Sequence, residues 1–298
     1  MSSSAHSTAD ETQPTTVRLS LPARPENVAL ARQVIAGLAE ELLIDEELLA
    51  DINIAVTEAC NNVVLHAYPD GVGTAEVTIT EVLDQLVITV RDEGTGVNPF
   101  PAEPDPDTGE PARTLGFGFA MMSSLADQFG INSGAGGTEV RMRFALRGAP
   151  APEGEDLLAG AGLLDDGPAP AGDIVLALTP GVPAAAVLGR FISLLAARAN
   201  LSLDRMSDLQ LVSDALARHA PQRALNGRFH VSAADRESGF ELRVGPLQAG
   251  GSDAIVADAT LSGVGSLLHF LSDDVTSEPV SGGTPGAEVL RLGLTRAS

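Results

Sequence analysis

Three polar side chains follow one another at steps of four residues in the segment TEACNNVVLHAYPDG, residues 57–71: Glu58, Asn62 and His66. On an α-helix this spacing places side chains above one another on the same face. The carboxylate of Glu58 can accept a proton from a nucleophile, and the amide oxygen of Asn62 can ligate a hard cation. The triplet also fits an ordinary helix edge, with His66 capping the negative end of the helix.

The apolar positions of this helix favour a site over a solvated edge. They form one stripe that faces a core, at residues 48, 49, 52, 55, 56, 59, 60 and 63. Glu58 and Asn62 lie on a flank of the stripe, where a side chain is half sheltered and can point into a cleft. Cys60, the single cysteine, lies within the stripe and is predicted to be a small buried residue.

The segment VRDEGTG, residues 90–96, is a second candidate for binding chemistry. It ends a predicted strand with Asp92, followed by Gly94 and Gly96. Glycines at this spacing let the backbone bend closely around a planar ligand, and Asp92 can accept a hydrogen bond from an exocyclic amine. The same letters also fit a simple turn.

A third segment, RTLGFGFAMM at residues 113–122, places Gly116 and Gly118 directly before a predicted helix. Free N–H groups at a helix start bind phosphate, and glycine allows close approach. The stretch before it has no regular periodicity, which predicts a mobile flap with Arg113 at its end as a cation for terminal phosphates.

The composition excludes several classes of function. All 18 basic residues are Arg, so chemistry that needs a Lys is absent, and the net charge of −22 opposes contact with nucleic acid or anionic lipid. A protein partner fits this charge better. The chain has no apolar run long enough to span a membrane and no signal-peptide pattern, which predicts a cytoplasmic protein.

The hydrophobic pattern predicts an α+β fold in two domains. We expect a flexible tail at 1–16, a first domain at 17–147, a linker rich in Ala, Gly, Pro and acid at 148–172, and a second domain at 173–298. The predicted elements of the first domain are a helix from Pro25, a helix from Asp45 to about His66, a hairpin over 75–91, a helix over 118–129 and a strand over 137–146 entered through Gly137 and Thr138.

The four motifs together resemble the nucleotide-binding boxes of the GHKL superfamily of ATPases and kinases. They are EACNN at 58–62, DEGTG at 92–96, GFG at 116–118 and GT at 137–138. The sequence around these motifs is most similar to that of the bacterial anti-sigma-factor serine/threonine kinases. The resemblance covers about residues 17–147 and implies a two-layer sandwich with helices on one face of a mixed, largely antiparallel sheet.

The resemblance also implies a role for each motif residue and two cofactors, ATP and Mg²⁺. It makes Glu58 the catalytic base and Asn62 the Mg²⁺ ligand, and Asp92 the reader of the adenine amine. The remaining assignments are Gly94 and Gly96 to the adenine pocket, Gly116, Gly118 and Arg113 to the phosphates, Thr138 to the support of Asp92, and Arg32 to the protein partner. Arg113 is three residues before its glycine pair, a spacing that is shifted relative to the family.

By this resemblance the chain is an ATP-dependent kinase that binds a sigma factor and phosphorylates an anti-anti-sigma (STAS-like) protein. The alternative is a nucleotide-gated binding protein that transfers no phosphate. Chaperone-type and topoisomerase-type members of the superfamily fit less well, because they use a Lys that this chain lacks.

The second half of the chain weakly repeats the order of the first. Its LVSDA at 211–215 matches AVTEA at 55–59, so that Glu58 corresponds to Asp214 and Asn62 to Arg218, while Pro246 stands where Asp92 is expected. A guanidinium cannot ligate Mg²⁺. We therefore expect a tandem, degenerate copy that binds no ATP and forms a pseudo-dimer with the first half; two unrelated α+β domains are the alternative.

Overall fold

The computed structural model describes residues 15–96, 115–146, 174–236, 239–263, 265–280 and 284–295. The strands are β1 (Thr15–Pro22), β2 (Thr74–Val82), β3 (Gln85–Asp92), β4 (Gln128–Gly134), β5 (Gly137–Ala145), β6 (Ile174–Leu178), β7 (Phe229–Arg236), β8 (Gly239–Leu247), β9 (Thr260–Leu261), β10 (Gly265–Ser266), β11 (Asp274–Pro279) and β12 (Glu288–Thr295). The helices are α1 (Val28–Leu42), α2 (Glu46–Asn62), α3 (Leu115–Leu125), α4 (Ala184–Arg198), α5 (Leu203–Arg223), α6 (Gly251–Asp258) and α7 (Leu267–Leu271).

One ten-stranded sheet runs through both halves, in the order β11-β12-β8-β7-β6-β1-β2-β3-β5-β4. The helices share one core with the alternating apolar side chains of these strands, which confirms the α+β two-layer class. Neighbouring strands in the described residues are all antiparallel, so the expectation of a mixed sheet is wrong. The reason is that α1 and α2 together return the chain to the end where β1 finished, so β2 runs back along it.

The two halves have the same strand order when each is read outward from the centre of the sheet. The first half reads β1-β2-β3-β5-β4 and the second reads β6-β7-β8-β12-β11. Such agreement is what an internal repeat predicts. The sequence patterns did not predict that β1 and β6 would pair and join the halves into one sheet. This pairing satisfies the backbone N–H and C=O groups of two edge strands that would otherwise be unpaired.

Helices α1 and α4 pack against each other above this strand pair. Gly37 of α1 brings the two backbones close, because a Cβ atom there would lie 2.8 Å from the carbonyl oxygen of Ala186. Polar contacts flank the apolar packing: the Thr179 hydroxyl accepts a hydrogen bond from Thr16 N at 2.8 Å, and Arg190 forms an ion pair with Glu40.

Helix α2 begins as predicted, because the carboxylate of Asp45 accepts a hydrogen bond from Leu48 N at 2.8 Å. The α-helix ends at Asn62 and continues as a π-helical turn, Val63–Ala67. Within the described residues the continuous segment Glu46–Ala67 is long and apolar enough to cross a membrane. The apolar stripe of this segment packs in the core between the helices and the sheet, as in a core helix.

Two predicted elements have wrong boundaries. Strand β1 begins at Thr15, so the last two residues of the expected tail belong to the sheet. The helix expected over 118–129 begins at Leu115 and ends at Leu125, so that Gly116 and Gly118 lie in its first turn and not before it. The chain then forms β4, which was not predicted because this edge strand has few apolar residues. The hairpin turn consists of Leu83 and Asp84, both with positive φ. Residues 1–14 and most of the predicted linker, residues 148–172, lie outside the described residues.

The packing at Gly37 generates a stability prediction. We expect Gly37→Val to cost about 1–3 kcal/mol of unfolding free energy, because the added side chain must push α1 away from α4. Gly130→Val is the matched control, since a Cβ atom there meets nothing within 4 Å and the site lies on an exposed strand. Urea denaturation of both variants measures the difference. Equal midpoints for the two variants would contradict the close contact.

Candidate functional site

Asp92 is the buried anchor of the site. It ends β3 and its side chain is 4% exposed. One carboxylate oxygen, Oδ1, accepts hydrogen bonds from the backbone N–H of Gly94 at 2.8 Å and of Thr138 at 3.2 Å. The second oxygen receives no hydrogen bond from the described residues, which leaves it available to a donor on a ligand.

The glycines after Asp92 hold the loop tightly between two elements. A Cβ atom on Gly94 would lie 2.1 Å from the carbonyl oxygen of Ala67, at the end of the π-helical turn. Gly96 has φ +75°, and its Cβ atom would lie 2.2 Å from the carbonyl oxygen of Gly134 in the β4–β5 turn. Larger residues would displace this backbone, so both glycines keep the loop closely packed.

Glu58 and Asn62 face the first turn of α3. A Cβ atom on Gly118 would lie 3.4 Å from Oε2 of Glu58 and 3.7 Å from Nδ2 of Asn62. The side chains of Glu58 and Asn62 are both half-buried. Gly116 lies within the first turn of the same helix, where backbone N–H groups lack intrahelical partners. The predicted carboxylate, amide and phosphate-binding glycines therefore meet at one place.

The amide of Asn62 has an unused hydrogen-bonding group. Its Nδ2 atom is buried and has no hydrogen-bond partner among the described residues. A buried polar atom of this kind is normally paired, so the site is suited to a ligand that supplies the partner. Rotation of the amide about its last bond exchanges oxygen and nitrogen, which presents an oxygen to a cation.

A Mg²⁺ ion bound here would depend on ligands from outside the protein. The described ranges contain no group of three or more His, Cys, Asp or Glu side chains that is placed to hold a metal. Mg²⁺ is commonly bound by one or two protein oxygens together with phosphate oxygens and water. The amide of Asn62 next to the glycine-rich helix start fits that arrangement.

Two supporting residues connect Asp92 to the rest of the fold. Thr138 was predicted from the sequence; it is buried, and its hydroxyl is 3.0 Å from the Ser133 hydroxyl. Tyr68 was missed. Its hydroxyl accepts a hydrogen bond from Glu93 N at 3.0 Å and donates one to the Thr74 carbonyl at 2.7 Å. The sequence YPDG indicated a helix end, and nothing in it connected this tyrosine to a loop 25 residues away.

Two other sequence-predicted residues, Arg32 and His66, do not join the cluster. Arg32 is exposed on α1. His66 lies in the π-helical turn and makes no hydrogen bond with the described residues, so the expectation that it caps or orients the site has no support in the geometry. Arg113 and the predicted flap lie outside the described residues. Cys60 is buried as predicted, and burial raises the pKa of its thiol to about 12, which keeps it neutral and unreactive.

The second half has a short helix, α6, directly after its second hairpin strand. After β8 the chain forms α6, which packs against the end of α5: Gln248 N donates to the Arg223 carbonyl at 2.8 Å, and Arg223 pairs with Asp258 at 2.8 Å. Ile255 of α6 is fully buried. The carboxylate of Glu288 accepts hydrogen bonds from N–H groups at the start of α6, which holds the helix in place.

The correspondence expected between α2 and α5 is wrong by one residue. Both helices start at a cap whose side chain accepts a hydrogen bond from the third helical residue, Asp45 in α2 and Ser202 in α5. Alignment on these caps matches Glu58 to Ala215 and Asn62 to His219. The buried positions of the helices then coincide, as with Ile52 and Leu209, Ala55 and Val212, and Ala59 and Leu216. Asp214 is exposed, and neither alignment gives α5 the carboxylate and amide of α2.

The hydrogen bonds of Asp92 generate a second prediction. Asp92→Ala leaves the N–H groups of Gly94 and Thr138 without an acceptor, so we expect a loss of about 2–4 kcal/mol of unfolding free energy. Asp92→Asn retains an acceptor oxygen and should cost about 1 kcal/mol. Urea denaturation compares the two variants. An Asp92→Ala protein as stable as the Asp92→Asn protein would contradict the structural role of this carboxylate.

The first half of the chain is similar in sequence to known proteins. Residues 21–144 match the model of the histidine kinase-like ATPase domain. The serine-protein kinase RsbW of Halalkalibacterium halodurans is 32% identical over 141 residues, which cover 45% of this chain and 86% of that protein. RsbW of Bacillus mycoides is 30% identical over 137 residues, 44% of this chain and 86% of that protein.

A solved structure of the RsbU and RsbW domains of a Mycobacterium tuberculosis protein has 23% sequence identity and a TM-score of 0.33. The match covers 44% of this chain and 32% of that one. The family assignment depends on the sequence relatives, which this chain covers over most of their length at about 30% identity. Through its first half, the chain belongs to the RsbW serine-protein kinase family of histidine kinase-like ATPases.

Proposed function

We propose that the first half binds Mg·ATP in the cleft between α2, α3 and the end of β3, and transfers the terminal phosphoryl group to a serine or threonine of a partner protein. The observation that carries this proposal is the convergence of Glu58 and Asn62 on the first turn of α3 at Gly118, together with the buried carboxylate of Asp92 at the end of β3. The family supports the same assignment.

Asp92 and its glycine loop bind the base of the nucleotide. The backbone already occupies Oδ1, so Oδ2 is the oxygen that accepts a hydrogen bond from the adenine amine. Thr138 and Tyr68 hold this end of the pocket in position before a ligand arrives. A site fixed in advance loses less conformational entropy when the nucleotide binds.

Asn62 and the start of α3 bind the phosphates. The N–H groups of the first helical turn carry the positive end of the helix dipole, and the glycines at 116 and 118 keep the approach open. The amide of Asn62 provides the protein ligand to Mg²⁺. When bound, this ion neutralises the negative charge of the phosphate oxygens.

Glu58 accepts the proton of the attacking hydroxyl. Its carboxylate lies one helical turn from the amide of Asn62, on the same edge of α2, and is half-buried, so it can reach a hydroxyl placed in line with the terminal phosphate. Catalysis then consists of positioning and electrostatic stabilisation, with Glu58 as the base that the partner hydroxyl meets.

The partners proposed for the chain are a sigma factor and an anti-anti-sigma protein of the STAS type, which carries the accepting hydroxyl. A cytoplasmic location of the chain is part of the same proposal. Arg32 is an exposed cation on α1 in a chain of net charge −22, so it is suited to an acidic group on the partner. The alternative function is a nucleotide-gated regulator that binds ATP without transfer. The retained Glu58 favours the kinase, because gating alone needs no base.

Paired variants separate binding from transfer. With γ-labelled ATP, Mg²⁺ and the anti-anti-sigma-like proteins of its own cell, we expect the parent chain to label one of them. Glu58→Ala should bind Mg·ATP normally and lose about 10²–10⁴-fold in transfer rate, as expected for removal of a general base. Asn62→Ala should weaken Mg·ATP binding itself, as measured by calorimetry. Glu47→Ala, on the exposed first turn of the same helix, is the control and should retain both.

Transfer by Glu58→Ala at the parent rate would show that the base is assigned wrongly. Binding of Mg·ATP by the parent without labelling of any candidate protein would favour the nucleotide-gated regulator. No binding of Mg·ATP by the folded parent chain would contradict both functions.

We further propose that the second half is a duplicated copy that has lost nucleotide binding and serves as a permanent partner of the first half. The shared strand order, the joined sheet and the α1–α4 contact support a pseudo-dimer within one chain. Neither alignment gives α5 the carboxylate and amide pair of α2, which supports the loss of ATP binding.

This arrangement predicts one nucleotide for each chain and a monomer in solution, since β1 and the contact face of α1 are already covered. Calorimetry should give a stoichiometry of one for Mg·ATP, and light scattering during size exclusion should give the mass of one chain, 30.6 kDa. Two nucleotides for each chain, or a tight symmetric dimer through the first half, would contradict it.

A further inference from the structure

A cavity of about 660 Å³ lies at the junction of the two halves, around the ends of β1 and β6. None of the residues assigned above to nucleotide or phosphate lines it. Its volume is within the range of sites that hold small molecules, and such sites are common at domain interfaces. Its wall combines polar and apolar side chains, and the apolar part includes Pro22, Val175, Leu195, Ala199, Ala233 and Phe240.

Two guanidinium groups and one carboxylate lie at the wall of the cavity: Arg24, Arg198 and Glu26. Arg198 donates to Asn27 Oδ1 at 3.0 Å and to the Glu26 carbonyl, which fixes its position. Burial lowers the pKa of Arg198, an effect that the nearby charge of Glu26 opposes. Arg24 is exposed and forms no ion pair within the described residues. The three side chains leave one net positive charge beside an apolar surface.

One side of the cavity is held by hydrogen bonds that are independent of any occupant. Gly73 and Thr74 line it, the Gly73 carbonyl accepts a hydrogen bond from Ala23 N at 2.8 Å, and the Thr74 carbonyl accepts one from the Tyr68 hydroxyl. The Tyr68 ring packs against Gly73 so closely that a Cβ atom there would overlap it. The wall is therefore preformed.

We propose that this cavity binds a small amphipathic monoanion, with its carboxylate between Arg24 and Arg198 and its hydrocarbon part against the apolar wall. A single carboxylate matches the single net positive charge, and charge-assisted hydrogen bonds to guanidinium groups are strong. The apolar wall disfavours a small hydrophilic anion, because such a ligand leaves that surface unfilled. Both halves are needed: the first supplies Arg24, and the second supplies Arg198 and most of the apolar wall.

Calorimetry with sodium decanoate and the full chain tests the proposal. We expect saturable binding with a stoichiometry of one. Arg24→Gln should weaken the affinity about tenfold, the effect of one charge-assisted hydrogen bond. Arg218→Gln is the matched control, because it makes the same charge change at an exposed position on α5 and should bind like the parent. Thermal unfolding of each variant confirms that it is folded.

Two further probes separate the sources of binding. Acetate has the same anionic group without the hydrocarbon chain and should not bind, whereas decyltrimethylammonium has the chain without the anion and should bind at least tenfold more weakly than decanoate. The proposal would be overturned if decanoate did not bind to the parent chain, or if Arg24→Gln bound decanoate with the affinity of the parent. If acetate bound with the affinity of decanoate, the site would hold an adventitious ion only, and the proposal would be overturned. This readout does not involve ATP, so it is independent of the kinase assays.

Discussion

The antiparallel pairing of β1 with β6 is the contact that organises the molecule. Each half is a sheet covered by helices, and β1 and β6 are the strands at which each would end. An exposed edge strand presents unpaired N–H and C=O groups, which attract another strand. Here the second half supplies that strand within the same chain. Once the strands pair, α1 and α4 are brought together, and Gly37 permits the close backbone contact.

The site depends on positions that are half covered by this scaffold. Helix α2 buries one stripe in the core and leaves Glu58 and Asn62 on the flank, where they face α3 instead of bulk water. Electrostatic interactions are stronger there than at a fully exposed surface, because less water screens them. Asp92 is held more deeply by two backbone donors and a glycine loop, so that its free oxygen keeps a fixed direction.

The second half keeps the strand order of the first without the residues of the candidate site. Its buried helix positions follow those of α2, and after β8 the chain forms α6, whose first N–H groups donate to the carboxylate of Glu288. A buried apolar residue such as Ile255 stabilises the fold without a ligand. The same half also contributes Arg198 to the cavity at the junction. The two halves therefore share a strand order and differ in the residues that stand at the positions of the candidate site.

Much of the candidate site in the first half could be predicted from the sequence. The period of the apolar residues placed Glu58 and Asn62 on a core flank, and the glycines at 94 and 96 marked where the backbone approaches a neighbour closely. These are local signals, because they depend on residues within one turn or one loop. Strand β4 and the exact match between α2 and α5 could not be predicted in this way. An edge strand with few apolar residues shows only a weak alternation of apolar and polar side chains. An alignment of two helices that is shifted by one residue is hard to detect when similar residues recur at neighbouring positions.

The sequence by itself determined the type of the main elements of the first half other than β4, the α+β class and the motif residues, since these follow from local spacing and side-chain chemistry. Tertiary structure decided which distant groups meet: Tyr68 with Glu93, Thr138 with Asp92, α1 with α4, and β1 with β6. Such contacts join residues far apart in the chain, and their free energy comes from complementary surfaces and paired backbone groups that exist only after the chain has folded.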